Sequence, residues 1–310
     1  MIIDVHAHVF PKVRGLTRKG PTRSLGYGLV AEGNETVRVL PPYNAETAYT
    51  PEMLMANLSW AGVDKAVLLQ GSFYGEWNDY AIEAVKRYPG KLCAMAYVDP
   101  WAEGCKDELA RVIGSGVFKG IKLECSEASG FCGIYPDARL DDPDLEWIWQ
   151  KMQQHRLILV LDLGAVGSRS YQTSAIHRIA GKYPDLIIVI AHLAQPRPAV
   201  EADTEAWKRW EEQLALGHQP NIWFDCAALP AYLPQEVFPF PTAGRYLHMA
   251  IERIGPAKVM WGSDQPGLLV QASLPDLVKM TRDHLSFLSP DDQELILGGN
   301  AQEIYFRGVR

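Results

Sequence analysis

The sequence has no long hydrophobic run. The apolar stretch at 186–191 falls far short of the roughly 20 residues that a spanning helix needs, and this argues against a membrane partner. The opening residues Met1-Ile2-Ile3-Asp4 carry neither the basic nor the apolar region of a secretory leader, so a cytoplasmic location is expected. Cysteine is sparse and scattered: Cys93, Cys105, Cys125, Cys132 and Cys226 form no C-x-x-C pair. That argues against a disulfide framework and a thiolate zinc site. Buried, reduced thiols are expected, with Cys125 adjacent to candidate site residues. There is no block dense in lysine or arginine, and the formal net charge is -7, so the electrostatic footprint of a nucleic-acid partner is missing. Internal repeats and low-complexity tracts are absent too.

What is present is the composition of an ordinary globular protein, 47% hydrophobic and 22% charged over 310 residues. One domain accommodates that length. Short β-branched or apolar runs at 2–5, 65–69, 92–98, 120–123, 157–161, 186–191, 222–224 and 259–261 alternate with helical stretches. In the helical stretches Met53, Leu54, Leu58 and Ala61 recur at three- and four-residue steps, as do Leu109, Val112 and Ile113. Thr50-Pro51, Asp142-Pro143 and Ser289-Pro290 mark helix starts. Eight strands with helical crossovers predict an α/β protein, a (β/α)8 TIM barrel. Residues 11–50, rich in Gly, Pro and Arg, read as a long loop insertion after strand one that could act as a lid.

Residues two apart on a strand share a face. His6 and His8 can therefore converge at the barrel mouth, in a geometry suited to two imidazole ligands of one metal ion. The H-x-H motif is weak alone; position strengthens it. Glu124, Asp162, His192, Asp225 and Asp264 also fall just after strands four to eight, at the carboxyl ends where barrel enzymes place their chemistry. Each could instead cap a helix or bond a neighbouring loop, which is the expectation for Asp225. Lys122 and Glu124 share a face of strand four, either to meet substrate or as an ion pair that only stabilises the barrel.

The runs Ile3-Asp4-Val5-His6-Ala7-His8, Gly120-Ile121-Lys122-Leu123, Ile190-Ala191-His192-Leu193, Trp261-Gly262-Ser263-Asp264-Gln265-Pro266 and Ile296-Leu297-Gly298-Gly299-Asn300-Ala301 resemble the amidohydrolase-related family, in its order and over nearly the whole chain. That family includes aminocarboxymuconate semialdehyde decarboxylase, resorcylate-type decarboxylases, and hydrolases of lactones and ring-cleavage products. The resemblance implies that His6 and His8 are metal ligands, that Asp264 binds metal or water, and that His192 is catalytic. Decarboxylases of the family usually carry a further histidine ligand after strand five, where this chain has Asp162. This departure makes the chain look like the lactonase branch, which includes sugar lactonases and pyrone-dicarboxylate lactonase, some of them working without a metal.

The leading expectation is a hydrolase that attacks a lactone or related carbonyl of a small carboxylated, ring-derived substrate with activated water. The cofactor would be a divalent ion, zinc ahead of manganese, on His6, His8 and Asp264 with Asp162 or Glu124 as a further oxygen donor. In a metal-free version the three histidines donate to the developing oxyanion while Asp264 activates water. A metal-dependent nonoxidative decarboxylase is the runner-up, and a noncatalytic binding barrel the alternative from another class. Lys122, Glu124, Phe73, Tyr74, Trp77, Arg169 and Tyr171 are the expected substrate contacts, with Arg14, Arg18 and Arg23 as further cations. A homo-oligomer, a dimer, is the ordinary expectation for such an enzyme.

Overall fold

The computed structural model describes residues 1–306. Eight parallel strands, β1 (Ile3–Ala7), β6 (Lys65–Leu68), β7 (Leu92–Tyr97), β8 (Phe118–Glu124), β9 (Ile158–Asp162), β10 (Ile188–Ile190), β11 (Ile222–Asp225) and β12 (Val259–Met260), pair in sequence order. The seam between β12 and β1 is closed by backbone bonds. Val5 N–H donates to Trp261 O at 3.1 Å, Asp264 N–H to His6 O at 2.8 Å, and His8 N–H to Gln265 O at 2.8 Å. The fold is thus the expected barrel, with helices between the strands. No helix among the described residues is long and apolar enough to cross a membrane.

These strands are short and apolar because both of their faces are covered. Ile3, Val5, Val67, Met95, Val160 and Met260 form one buried cluster, joined by Ile304 and Tyr305 from the end of the chain. Intervening positions such as Leu68, Ala94, Ile121, Leu161 and Phe224 pack into a larger cluster shared with the helices. The Ser/Thr-Pro signals do what their chemistry predicts. Thr50 caps the helix Pro51–Ala61 by accepting from Met53 N, and Ser289 caps Pro290–Glu294 by accepting from Asp292 N. Cys93, Cys125, Cys132 and Cys226 are buried, and all five cysteines are free.

The insertion after β1 departs from the expectation. In place of an irregular loop, residues 11–50 contain four strands, β2 (Leu16–Thr17), β3 (Gly20–Gly26), β4 (Leu29–Glu32) and β5 (Glu35–Arg38), paired as an antiparallel meander. A segment of this length satisfies its backbone groups by pairing with itself. Thr22 Oγ1 fastens it to the barrel, donating to Phe73 O at 2.7 Å while accepting from Gly15 N at 2.6 Å.

Candidate active site

The site begins with an irregularity in β1. Its register against β6 shifts between Asp4 and Ala7, and Asp4 Oδ1 accepts from His6 N at 3.1 Å. Asp4 is fully buried and also accepts from Ser263 N at 2.8 Å, Ser263 Oγ at 2.5 Å and Gln265 Nε2 at 2.7 Å. One carboxylate thereby ties the end of β1 to the segment that carries Asp264. Gly262 permits the close approach: a Cβ there would stand 2.9 Å from His6 Cβ. Asp264 itself has a left-handed φ of 59°, uncommon outside glycine though accessible to Asp.

Each histidine has a fixed inner nitrogen. His6 Nδ1 lies 3.0 Å from Asp225 Oδ2, and His8 Nδ1 lies 3.0 Å from the carbonyl of Leu69. Both partners accept only, so each Nδ1 carries a proton, and the tautomer this selects turns an Nε2 lone pair to the site. Those Nε2 atoms face Asp264 Oδ1 at 3.7 Å from His6 and 3.3 Å from His8. His6 Nε2 is buried without a hydrogen-bond partner. Burial pulls His8 down to about 4, which keeps that ring neutral at pH 7. Lone pairs converging on a carboxylate form a donor set complete only with a cation, and a nitrogen-and-oxygen set suits zinc or manganese.

His192 is arranged differently. Its Nε2 lies 3.2 Å from Asp162 Oδ2 and its Nδ1 3.2 Å from Ala227 O. Burial opposes its charge, but the charge and hydrogen bond of Asp162, with Asp225 and Asp264 nearby, outweigh burial and raise it to about 10. It stands as an imidazolium with its ring 4.5 Å from that of His6. Burial likewise works against ionised Asp264, yet the contact with His8 and the adjacent His6 and His192 imidazoles hold it at about 2. The backbone that delivers His192 is a left-handed turn of four non-glycine residues, with φ of 60°, 47°, 58° and 60° from His192 to Gln195. Trp210 Nε1 donates to Leu193 O at 2.8 Å and Tyr171 Oη to Ala194 O at 3.0 Å, pinning its carbonyls.

These groups line a cavity of about 810 Å³ at the barrel mouth. Among the described residues, the ligand atoms lying within 4.8 Å of one another come from His6, His192 and Asp264. The expected grouping was His6, His8 and Asp264; His8 still reaches the carboxylate but lies outside this tighter set. Asp162 and Glu124 line the cavity with their oxygens already engaged. Asp162 Oδ1 accepts from Gln195 Nε2 at 3.0 Å and Gly164 N at 3.2 Å, and Glu124 accepts from Lys122 Nζ at 3.2 Å and Ser126 Oγ at 2.7 Å. Neither belongs to the ligand cluster.

Of the expected substrate contacts, Lys122, Glu124, Phe73, Tyr74 and Arg18 line the cavity. Tyr74 sits 4.8 Å from the His8 ring and stacks on Phe10 at 4.6 Å. Trp77, Arg169 and Tyr171 do not line it, because each is held elsewhere. Trp77 Nε1 donates to Tyr74 O at 2.9 Å, and Arg14 covers its ring at 4.5 Å. Arg169 pairs with Glu127 at 2.8 Å, outside the wall. Tyr171 braces the left-handed turn. Asp225 is more than the expected loop contact: it accepts from His192 N at 2.8 Å and Ala227 N at 3.1 Å while orienting His6. Lys19, Gln195, Arg197 and Tyr232 also line the wall and were not among the expected contacts. The one available signal was the proline-bracketed Gln195-Pro196-Arg197-Pro198 directly after a strand end.

The amidohydrolase family model matches residues 3–307. The chain belongs to the amidohydrolase family. It is an enzyme, a hydrolase, and among its relatives is the L-fucono-1,5-lactonase of Burkholderia ambifaria, 26% identical over 86% of this chain and 89% of that protein. The 4-sulfomuconolactone hydrolase of Hydrogenophaga intermedia is 22% identical over 94% of this chain and 83% of that protein. An amidohydrolase from Burkholderia multivorans, solved with bound zinc, superposes with a TM-score of 0.71 at 17% identity, covering 98% of this chain and 99% of that one. This last likeness concerns the fold.

Proposed function

We propose that this amidohydrolase opens a lactone of a small carboxylated, ring-derived compound by hydrolysis. The observation that carries the reading is the convergence of an ionised Asp264 with three imidazoles at a cavity whose wall holds Lys122, Arg18, Lys19 and two tyrosines. The names of both curated relatives, each a lactone-opening enzyme, support it. Asp162, in the place of a further histidine, supports hydrolysis over decarboxylation.

Asp264, one-quarter exposed, is the group placed to take a proton from water as its oxygen attacks the lactone carbonyl. The His192 imidazolium and the buried Lys122 ammonium, both on the cavity wall, would offer positive charge to the oxygen that becomes anionic. When the tetrahedral centre collapses, the ring C–O bond breaks, and the proton held by Asp264 passes to the leaving oxygen. Water and lactone become a hydroxy acid. The unclaimed Nε2 of His6, with His8 Nε2 and Asp264 Oδ1, would hold a divalent ion at this point; His192 would join them only as the neutral ring. Such an ion supplies Lewis-acid polarisation of carbonyl and water.

A panel of aldonolactones and muconolactones followed by proton release in a pH-stat tests the reading. Ring opening by the wild type is expected, with Asp264→Asn reduced about 10²- to 10⁴-fold in kcat. Release of carbon dioxide from hydroxybenzoates, with every lactone left intact, would overturn it in favour of the decarboxylase. Dialysis against a chelator followed by zinc or manganese add-back tests the ion: activity unaffected by chelation refutes metal dependence.

A further inference from the structure

Among the basic side chains on the cavity wall, Arg197 has no carboxylate. Lys122 is paired with Glu124 and Lys19 with Glu35 and Glu32, while the exposed Arg18 enters no ion pair among the described residues and feels only the field of Glu127, which pairs with Arg169. Arg197 enters no ion pair among the described residues. Its guanidinium is nevertheless held in place. One Nη donates to Gln195 Oε1 at 2.7 Å, and Cζ sits 4.9 Å from the centre of the Tyr232 ring. Pro196 and Pro198 restrict the backbone on either side. Its Nε is buried and has no hydrogen-bond partner.

A buried N–H without an acceptor and a fixed cation without a counter-ion are both unfavourable in the empty protein. Both are relieved by one kind of guest: a planar anion that accepts from Nε–H and neutralises the charge. Carboxylates match the guanidinium edge in shape and in sign. We infer that Arg197, backed by Tyr232 and Gln195, forms a carboxylate subsite that selects lactones bearing an acidic substituent away from the scissile ester. For its chemistry this inference rests on the lactonase reading above.

The subsite adjoins the reacting groups. Tyr232's ring lies 6.1 Å from that of His192. Gln195, which holds the guanidinium, also donates to Asp162 at 3.0 Å, and Asp162 pairs with His192 at 3.2 Å. An anion seated on Arg197 is therefore positioned through the same side chains that orient His192. Lys122 and Lys19 are poorer candidates for this role, since a substrate carboxylate would have to compete with their existing glutamate partners.

Two lactones of equal ring size, one carrying a carboxylate and the other its methyl ester, are assayed with the wild type, Arg197→Met and Arg197→Lys. Arg197→Met is expected to lose between about tenfold and a hundredfold more kcat/KM on the acid than on the ester, mainly through KM, with Arg197→Lys intermediate. Equal losses on both lactones, or no loss on the acid, overturn the inference. Should Arg197→Met fail to fold by thermal melting, the acid-to-ester ratio of Arg197→Lys is read in its place: a ratio unchanged from wild type overturns the inference, a lowered one supports it. Should the wild type open neither lactone, the hydrolytic reading fails by itself, and titration calorimetry with glutarate reads the subsite directly. Binding at least tenfold tighter to wild type than to the variant supports the subsite, and equal affinities refute it.

Discussion

Replacing Asp225 by asparagine changes one atom in a carboxylate that does not line the cavity, and the structure dictates where the change falls. Asp225 is 1% exposed. Its Oδ1 accepts from two backbone amides, His192 N at 2.8 Å and Ala227 N at 3.1 Å, and its Oδ2 faces His6 Nδ1 at 3.0 Å. Backbone amides only donate, so in Asp225→Asn the new side-chain amide must place its oxygen towards them and its NH2 towards His6. A donor there forces His6 Nδ1 to accept, which moves the ring proton to Nε2. The lone pair that His6 offers to the site is then lost. Exchanging a charge-assisted hydrogen bond for a neutral one lowers stability by about 1–2 kcal/mol, a few degrees in Tm for a chain of this size. Activity is expected to fall about 10- to 100-fold, as when the outer partner of a ligating histidine is removed. Long-range ¹H–¹⁵N NMR of the imidazoles reports the tautomer independently of turnover. A variant that keeps wild-type kcat/KM, or in which His6 remains protonated at Nδ1, refutes the reasoning.

Other outcomes follow from the same geometry. In chelated protein, His192 is raised to about 10 from an ordinary 6.5. The stability it contributes is fully present below pH 6.5 and is lost as pH rises through about 10; a Tm series shows this decline, and His192→Gln flattens it. His8 is shifted the other way, to about 4 by burial, so stability falls as pH drops from 6.5 towards 4, a slope that His8→Gln removes. Gly262→Ala drives a Cβ to 2.9 Å from His6 Cβ and 3.1 Å from Ala227 Cβ. A cost of about 1–3 kcal/mol by denaturant titration is expected, with kcat reduced more than KM is raised. Thr22→Val removes the side-chain bond from the meander to Phe73 O and the internal bond from Gly15 N, leaving the backbone bond from Leu16 N to Ser72 O. Faster hydrogen exchange at Gly15 and a raised KM are expected, and unchanged exchange counts against the meander's attachment through Thr22.

The barrel was legible because strands covered on both faces leave short apolar runs whose polar ends stand out. The site core was legible because His6, His8, His192 and Asp264 lie at such ends. The meander was not. In β3 the buried positions are Thr22 and Gly26, while Leu25 is exposed, so the apolar alternation that normally announces a strand is missing. The turn at 192–195 was equally hidden, since no glycine marks it and its conformation depends on Trp210 and Tyr171 from distant segments. For the same reason Tyr171 read as a substrate contact, when its hydroxyl is committed to the carbonyl of Ala194. Arg197 and Tyr232 meet across two separate strand ends, a juxtaposition that spacing along the chain does not encode.

The left-handed turn also restricts how this protein can diverge. Left-handed geometry costs roughly 1–2 kcal/mol per non-glycine residue, and Leu193 and Ala194 bear it without contributing a side chain to the ligand cluster. Variation at these two positions is therefore filtered by backbone strain: a β-branched residue would add to a debt already carried, whereas glycine would relieve it and loosen the aim of His192. A lineage adapting to a new substrate has its freedom at Arg197 and in the meander, and little of it in the four residues that swing His192 into place.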